Sequence, residues 1–152
     1  MAQPQIKSDF SKLEILKKNL ANIPKVKVGI LNDKPRKGSE SNATIGLKHE
    51  FGEGVPARSW LRQPVISPPM ANAVVKLAKK IQRDVIKPDG MTKFMEAVGS
   101  ETVDVIRQGF ESSGWGTWQP NSPETIALKG SSKPLIDTGQ LSQSISFELV
   151  GR

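Results

Sequence analysis

Apolar and polar positions alternate with two different periods along this chain, and the changes of period mark its elements. Phe10, Leu13, Leu16 and Leu20 recur at helical spacing among Lys12, Lys17 and Lys18. They predict a first helix from Ser8 or Asp9 to Leu20, with either of those residues as its cap. Lys25 to Leu31 alternates, as a half-buried strand does. A polar loop over 32–41, with Pro35, Gly38 and basic residues, reads as exposed and mobile. Asn42 is placed to cap a short helix over Ala43–Phe51, with Ala43, Leu47 and Phe51 on one face and Gly52 at its end.

Pro56 and Pro64 bracket an extended piece at Ser59–Arg62, and Pro68 and Pro69 delay the next helix to about residue 70. That helix runs to residue 87. Val74, Leu77, Ala78, Ile81 and Val85 form its apolar stripe; Lys76, Lys80, Arg83 and Lys87, with Lys79, form a basic one. Thr92 is the expected cap of a second long helix reaching Phe110 or Ser112, buried along Met95, Val98, Thr102, Val105, Ile106 and Phe110. Gly99 inside it is unfavourable by about 1 kcal/mol against alanine, so a close neighbour there is expected. Ser122, Pro123 and Glu124 open a short helix that Gly130 closes. Thr138 is read as capping one further turn, and Ser144–Val150 alternates again as a final strand.

The sum is one α+β domain: an antiparallel sheet of strands 25–31 and 144–150, with residues 59–63 as a candidate third piece. Two long helices, at 70–87 and 93–111, cover one face, with short helices at the periphery. A chain of 152 residues is long enough to bury a core without staples. It has no cysteine and one histidine, which removes disulfides, thiolate metal sites and cysteine nucleophiles. The amino terminus lacks the apolar region of a signal peptide, and no apolar run is long enough to cross a bilayer.

Charge changes the picture more. Residues 1–90 hold 17 Lys and Arg against 8 Asp and Glu, and residues 91–152 hold 5 against 7. A basic first part beside a mildly acidic last part implies either plain solubility or a face that meets an anion.

Chemical motifs point away from catalysis. Asp137-Thr138-Gly139 matches the aspartic-protease tripeptide, but that reaction needs two carboxylates and the tripeptide occurs once, after three helices. Lys129-Gly130-Ser131-Ser132-Lys133 lacks phosphate-loop spacing and follows a helix. His49 is a single possible metal ligand, and Ser122 and Ser144 have no His–Asp partners. The expectation is a non-enzyme without cofactor or metal. Arg58, Trp60 and Arg62 stand out because alternate residues of an extended segment share a face. An aromatic between two guanidiniums suits a protein interface or a phosphate strip; the other reading is a core Trp60 with solvated arginines.

Two stretches together resemble the virion morphogenesis proteins of tailed bacteriophages, the small tail-completion or head–tail joining proteins. The first carries Ala43, His49, Glu50, Phe51 and Gly52, then Val55, Pro56, Arg58, Trp60, Leu61 and Arg62, with Ser59 where the family often has proline. The second carries Trp118, Pro120, Ser122, Thr125, Lys129 and Gly130, then Pro134, Leu135, Asp137, Thr138, Gly139, Leu141, Ser144 and Ile145. Residues 66–112 match in pattern alone. The resemblance implies a structural ring subunit, a hexamer, in the neck or at the top of the tail. Its expected neighbours are connector or adaptor and tail terminator or tail tube proteins, and its expected location is the virion, with host cytoplasm during assembly. Tail terminator and head–tail adaptor proteins are the adjoining subclasses. On this reading Arg58, Trp60, Arg62 and Trp118 are contact candidates, and Asp137 and Thr138 hold the carboxyl-terminal turn. Lys76, Lys80, Arg83 and Lys87 are the candidates to face genomic DNA; they also motivate the alternative of a basic nucleic-acid-binding module.

Overall fold

The computed structural model describes residues 10–33 and 40–151. Ser8 and Asp9, and most of the loop over 32–41, fall outside them. Nine elements follow in order: α1 (Ser11–Ala21), β1 (Lys25–Gly29), α2 (Asn42–Phe51), α3 (Arg62–Val65), α4 (Pro68–Ile81), α5 (Gly90–Glu111), α6 (Pro123–Lys129), α7 (Gln140–Gln143) and β2 (Ser146–Val150).

The two strands pair antiparallel, with Val28 opposite Phe147 and Lys27 opposite Glu148. Lys27 Nζ and Glu148 Oε1 meet at 3.0 Å on the outer face. Val26 and Val28 turn inward, where α5 packs against both strands. Gly99 makes that packing possible. A Cβ there would lie 2.3 Å from the Phe147 ring, so the expected close neighbour is β2. Below it, Ile106 and Phe110 are fully buried. Phe110 meets Trp60 at 6.0 Å and Trp118, edge-on, at 5.6 Å between ring centroids. The result is a small α+β domain, with a two-stranded antiparallel sheet packed on one long helix and shorter helices around it.

Several expectations need correction. The sheet has no third strand among the described residues, because Arg62–Val65 winds into α3 with Pro64 inside it. Proline is tolerated in a helix's first turn, where its missing N–H has no partner in any case. The same reasoning corrects the start of α4: Pro68 and Pro69 are its first two residues, and Ser67 caps it by accepting from the Met70 N–H. α4 rests on α5, where both long helices were expected on the sheet. It also stops at Ile81, short of residue 87. Asn19 of α1 donates to the carbonyls of Val85 and Lys87, at 2.5 and 2.8 Å, and holds the chain there in a turn.

The caps shift as well. Ser41 caps α2, its Oγ accepting from the Thr44 N–H. Asp89, in a left-handed conformation, precedes α5, so Thr92 lies inside the helix. The faces of two helices also shift. α1 buries Asn19 while Phe10, Leu13 and Leu20 stay exposed and Leu16 is half-buried, and α2 buries Gly46 and Glu50 while Leu47 and Phe51 face outward and Ala43 is half-buried. α6 is as expected, with Ser122 capping, Pro123 first and Gly130 closing.

Candidate functional site

Residues 43–62 and 118–147, far apart in sequence, fold together. Three contacts join or brace them, and each comes from one residue of the first stretch.

Trp60 lies over α2. Its indole N–H donates to the Gly46 carbonyl at 2.7 Å, and a Cβ on Gly46 would sit 2.8 Å from the Trp60 ring. Only glycine lets the ring approach the helix this closely. Glu50 turns inward one helical turn later and is 5% exposed. Its carboxylate accepts from Ser59 Oγ at 2.8 Å, the Leu61 N–H at 2.9 Å, and Arg62 Nε at 2.7 Å. Burial pushes this carboxyl up, but the bonds from Arg62, Leu61 and Ser59 outweigh it and hold the group below the usual 4.5. Glu50 therefore clasps the 59–62 segment onto α2. Arg58 reaches the other stretch. Its Nε and Nη2 donate to the Gln119 carbonyl at 3.0 and 2.9 Å, and Nη2 also donates to Asn121 Oδ1 at 3.2 Å. Asn121 passes the link on, its Nδ2 donating to the Lys133 carbonyl at 3.2 Å.

Between these walls lies a cleft of about 530 Å³, lined by α2, the 55–58 and 119–122 segments, α6 and the 135–141 turn. Ile45, Val55, Leu135 and Leu141 give it an apolar side; Arg58, His49, Lys129, Asp137 and Thr138 give it a polar one. Burial lowers the Lys129 pKa, with Asp137 raising it and Arg58 lowering it further. Burial likewise lowers the His49 pKa from 6.5; the Pro56 backbone pulls it back, and Arg58 and Lys129 push it down. The His49 Nδ1 is buried without a hydrogen-bond partner among the described residues.

The predicted contact residues divide accordingly. Arg58, Trp60 and Trp118 are buried, and Trp118 Nε1 donates to Gln63. Arg58 and Trp60 do not share an exposed strip with Arg62: the extended piece ends at α3, and only Arg62 faces solvent, its guanidinium 5.0 Å above the Phe51 ring. Trp60 is core, as in the other reading of that segment, but Arg58 is buried where that reading had both arginines solvated. Asp137 and Thr138 are exposed on the cleft rim. They do not hold the turn. Gly139, left-handed, precedes α7, and its carbonyl accepts from Ser142 Oγ. Lys76, Lys80, Arg83 and Lys87 are exposed, but α4 carries only the first two, and Lys87 pairs with Asp84.

Glu50, Asn121 and Lys129 were not singled out for these roles. For Glu50 a signal existed: Gly46 and Glu50 are four apart, so a glycine and an acid share one helix face. Apolar Leu47 and Phe51 on the other face masked it. Among the described residues no group of three or more His, Asp or Glu could hold a metal ion, and no helix is long and apolar enough to cross a membrane. No family model, curated protein or solved structure matches the chain.

Proposed function

We propose that this chain is a structural subunit of a tailed bacteriophage, forming a hexameric ring that completes the tail or joins it to the head. The observation that carries the reading is the meeting of residues 43–62 and 118–147. These are the stretches that resemble the virion morphogenesis proteins, and the Arg58 bonds to Gln119 and Asn121 make them one unit. A motif divided over two distant stretches has a physical reason to stay together when its halves interlock. The outer surface suits a protein that works by contact. Ile66 is 83% and Leu128 88% exposed, and a head-to-tail ring needs two different surfaces on each subunit.

Virions assembled without the protein test this by electron microscopy. Separate full heads and finished tails, or tails with aberrant ends, are expected; normal infectious particles overturn the reading.

A second reading has its own observation. Lys76, Lys79, Lys80 and Arg83 are exposed and form no ion pair among the described residues. Such a stripe suits phosphates, whether of DNA inside a ring or of nucleic acid bound by a free module. Binding to duplex DNA through several phosphates falls steeply as salt rises. Sub-micromolar binding by a monomer at physiological salt favours the module; binding that vanishes there favours the structural role.

A further inference from the structure

Among the described residues Arg58 is a cation without an ion-pair partner. It is 5% exposed, and all its acceptors, the carbonyls of Gln119 and Pro120 and the amide oxygen of Asn121, are neutral. Among the described residues no carboxylate comes within ion-pair distance of it. Its Nη1 makes no hydrogen bond to them. Buried charges are ordinarily paired. In the same cleft Lys129 adds a second cation, and Asp137 on the rim offsets one of the two. The His49 Nδ1 is buried there with no hydrogen-bond partner among the described residues. Beside them lie Ile45, Val55, Leu135 and Leu141.

We infer that this cleft receives the carboxyl-terminal residue of a partner polypeptide, its carboxylate toward Arg58 and Lys129 and its aliphatic side chain against Ile45, Val55, Leu135 and Leu141. A terminal residue carries carboxylate and side chain on one Cα, so a single residue meets both needs of a cleft of about 530 Å³. A glutamate side chain carries its carboxylate without an adjoining aliphatic branch. A phosphate dianion would face Asp137 and gain nothing from the apolar side. A guanidinium recognises a carboxylate by charge-assisted hydrogen bonds, and the apolar contact adds transfer energy. The inference does not depend on the virion reading, because the cleft has this chemistry whatever assembly the chain joins.

The test is an NMR titration of the isotope-labelled full chain with N-acetyl-Ala-Leu bearing a free carboxyl group. Saturable shifts are expected at the backbone amides of Lys129 and of residues 137–141. The carboxamide of the same peptide should bind about tenfold more weakly or worse, having lost the charge. N-acetyl-Leu-Glu carboxamide, whose only carboxylate is on a side chain, and inorganic phosphate should both bind more weakly than the free acid. Lys129→Met should weaken the free acid about fivefold, and Asp137→Asn should tighten it, since each alters one charge at partly screened range. Both positions are at least partly exposed, so the fold tolerates the changes, and the remaining spectrum verifies it. The absence of saturable shifts overturns the inference. So does equal binding of acid and carboxamide, or of the side-chain acid or phosphate, or indifference to both variants.

Discussion

The core of this protein is closed on two sides by opposite chemistry. On one side α5 meets the sheet through shape: the Phe147 ring lies against Gly99, and Ile106 and Phe110 fill the space beneath. On the other, α2 meets the 58–62 segment through polar atoms, with the Glu50 carboxylate accepting from Ser59, Leu61 and Arg62. An apolar joint is non-directional, and it tolerates exchanges that keep its volume. A polar joint has no such tolerance, because removing Glu50 leaves the half-buried Ser59 and Leu61 donors unsatisfied. The second joint also has a consequence for surface. With Gly46 and Glu50 required inside, the apolar face of α2 turns outward.

The largest effect should come from the apolar joint. Phe110 is 1% exposed and touches both buried tryptophans. Phe110→Ala should cost about 4 kcal/mol in urea unfolding, from lost transfer energy and the cavity left behind. Phe110→Leu should cost about half of that or less. Equal losses for the two would mean that the ring is held by something other than volume.

Glu50 comes next. Glu50→Ala should cost about 3 kcal/mol, because it leaves the Leu61 N–H and Ser59 Oγ without their acceptor. Glu50→Gln, which keeps the shape but supplies an amide where the second carboxylate oxygen accepts, should recover only part. Full recovery by glutamine would show that shape governs this side too, and the contrast between the joints would collapse.

The contrast explains what the sequence made legible. α5 was readable because its buried face is apolar at helical spacing, and β1 and β2 because they alternate; in each, local pattern and tertiary demand agree. α2 was misread because they conflict. Ala43, Leu47 and Phe51 make the more apolar face, but the partner segment offers N–H groups and a tryptophan that needs a glycine. α1 fails for a related reason: its buried residue is Asn19, chosen by the carbonyls of Val85 and Lys87. The caps of α2 and α7 were misread by one residue and that of α5 by three, with Asp89 and not Thr92 before it, since several polar residues adjoin those helix starts. The contact residues Arg58 and Trp60 were visible as unusual, but whether an arginine faces water or a row of carbonyls depends on a segment sixty residues away.

Acid should open the polar side while sparing the apolar one. His49 has a folded pKa below 6.5 and Glu50 one below 4.5. In both cases the unfolded chain takes up protons first as pH falls, so stability is full above the ordinary value and is lost as pH drops through the folded one. Urea midpoints should therefore decline from pH 7 downward, first through His49 and then, below about 4.5, through Glu50. His49→Gln should flatten the first part of the decline and Glu50→Gln the second, while the Phe110→Leu profile should run parallel to that of the unaltered protein. A His49→Gln profile identical in slope to the unaltered one between pH 7 and 5 would show that burial does not disfavour the imidazolium.

The smallest effect is also the sharpest comparison, because it sets two residues of one helix against each other. Leu47 and Glu50 lie in the same turn of α2. On ordinary expectation the leucine belongs to the core and the glutamate to solvent. Here Leu47 is 53% exposed and Glu50 is 5% exposed. Leu47→Ser removes an apolar side chain that is already half in water, and adds a small loss of helix propensity. The sum should stay under about 1 kcal/mol, against about 3 kcal/mol for Glu50→Ala. The paired urea curves measure both. If the leucine substitution proves the more damaging of the two, α2 is seated by its apolar face, and the polar clasp is a consequence of the packing instead of its cause.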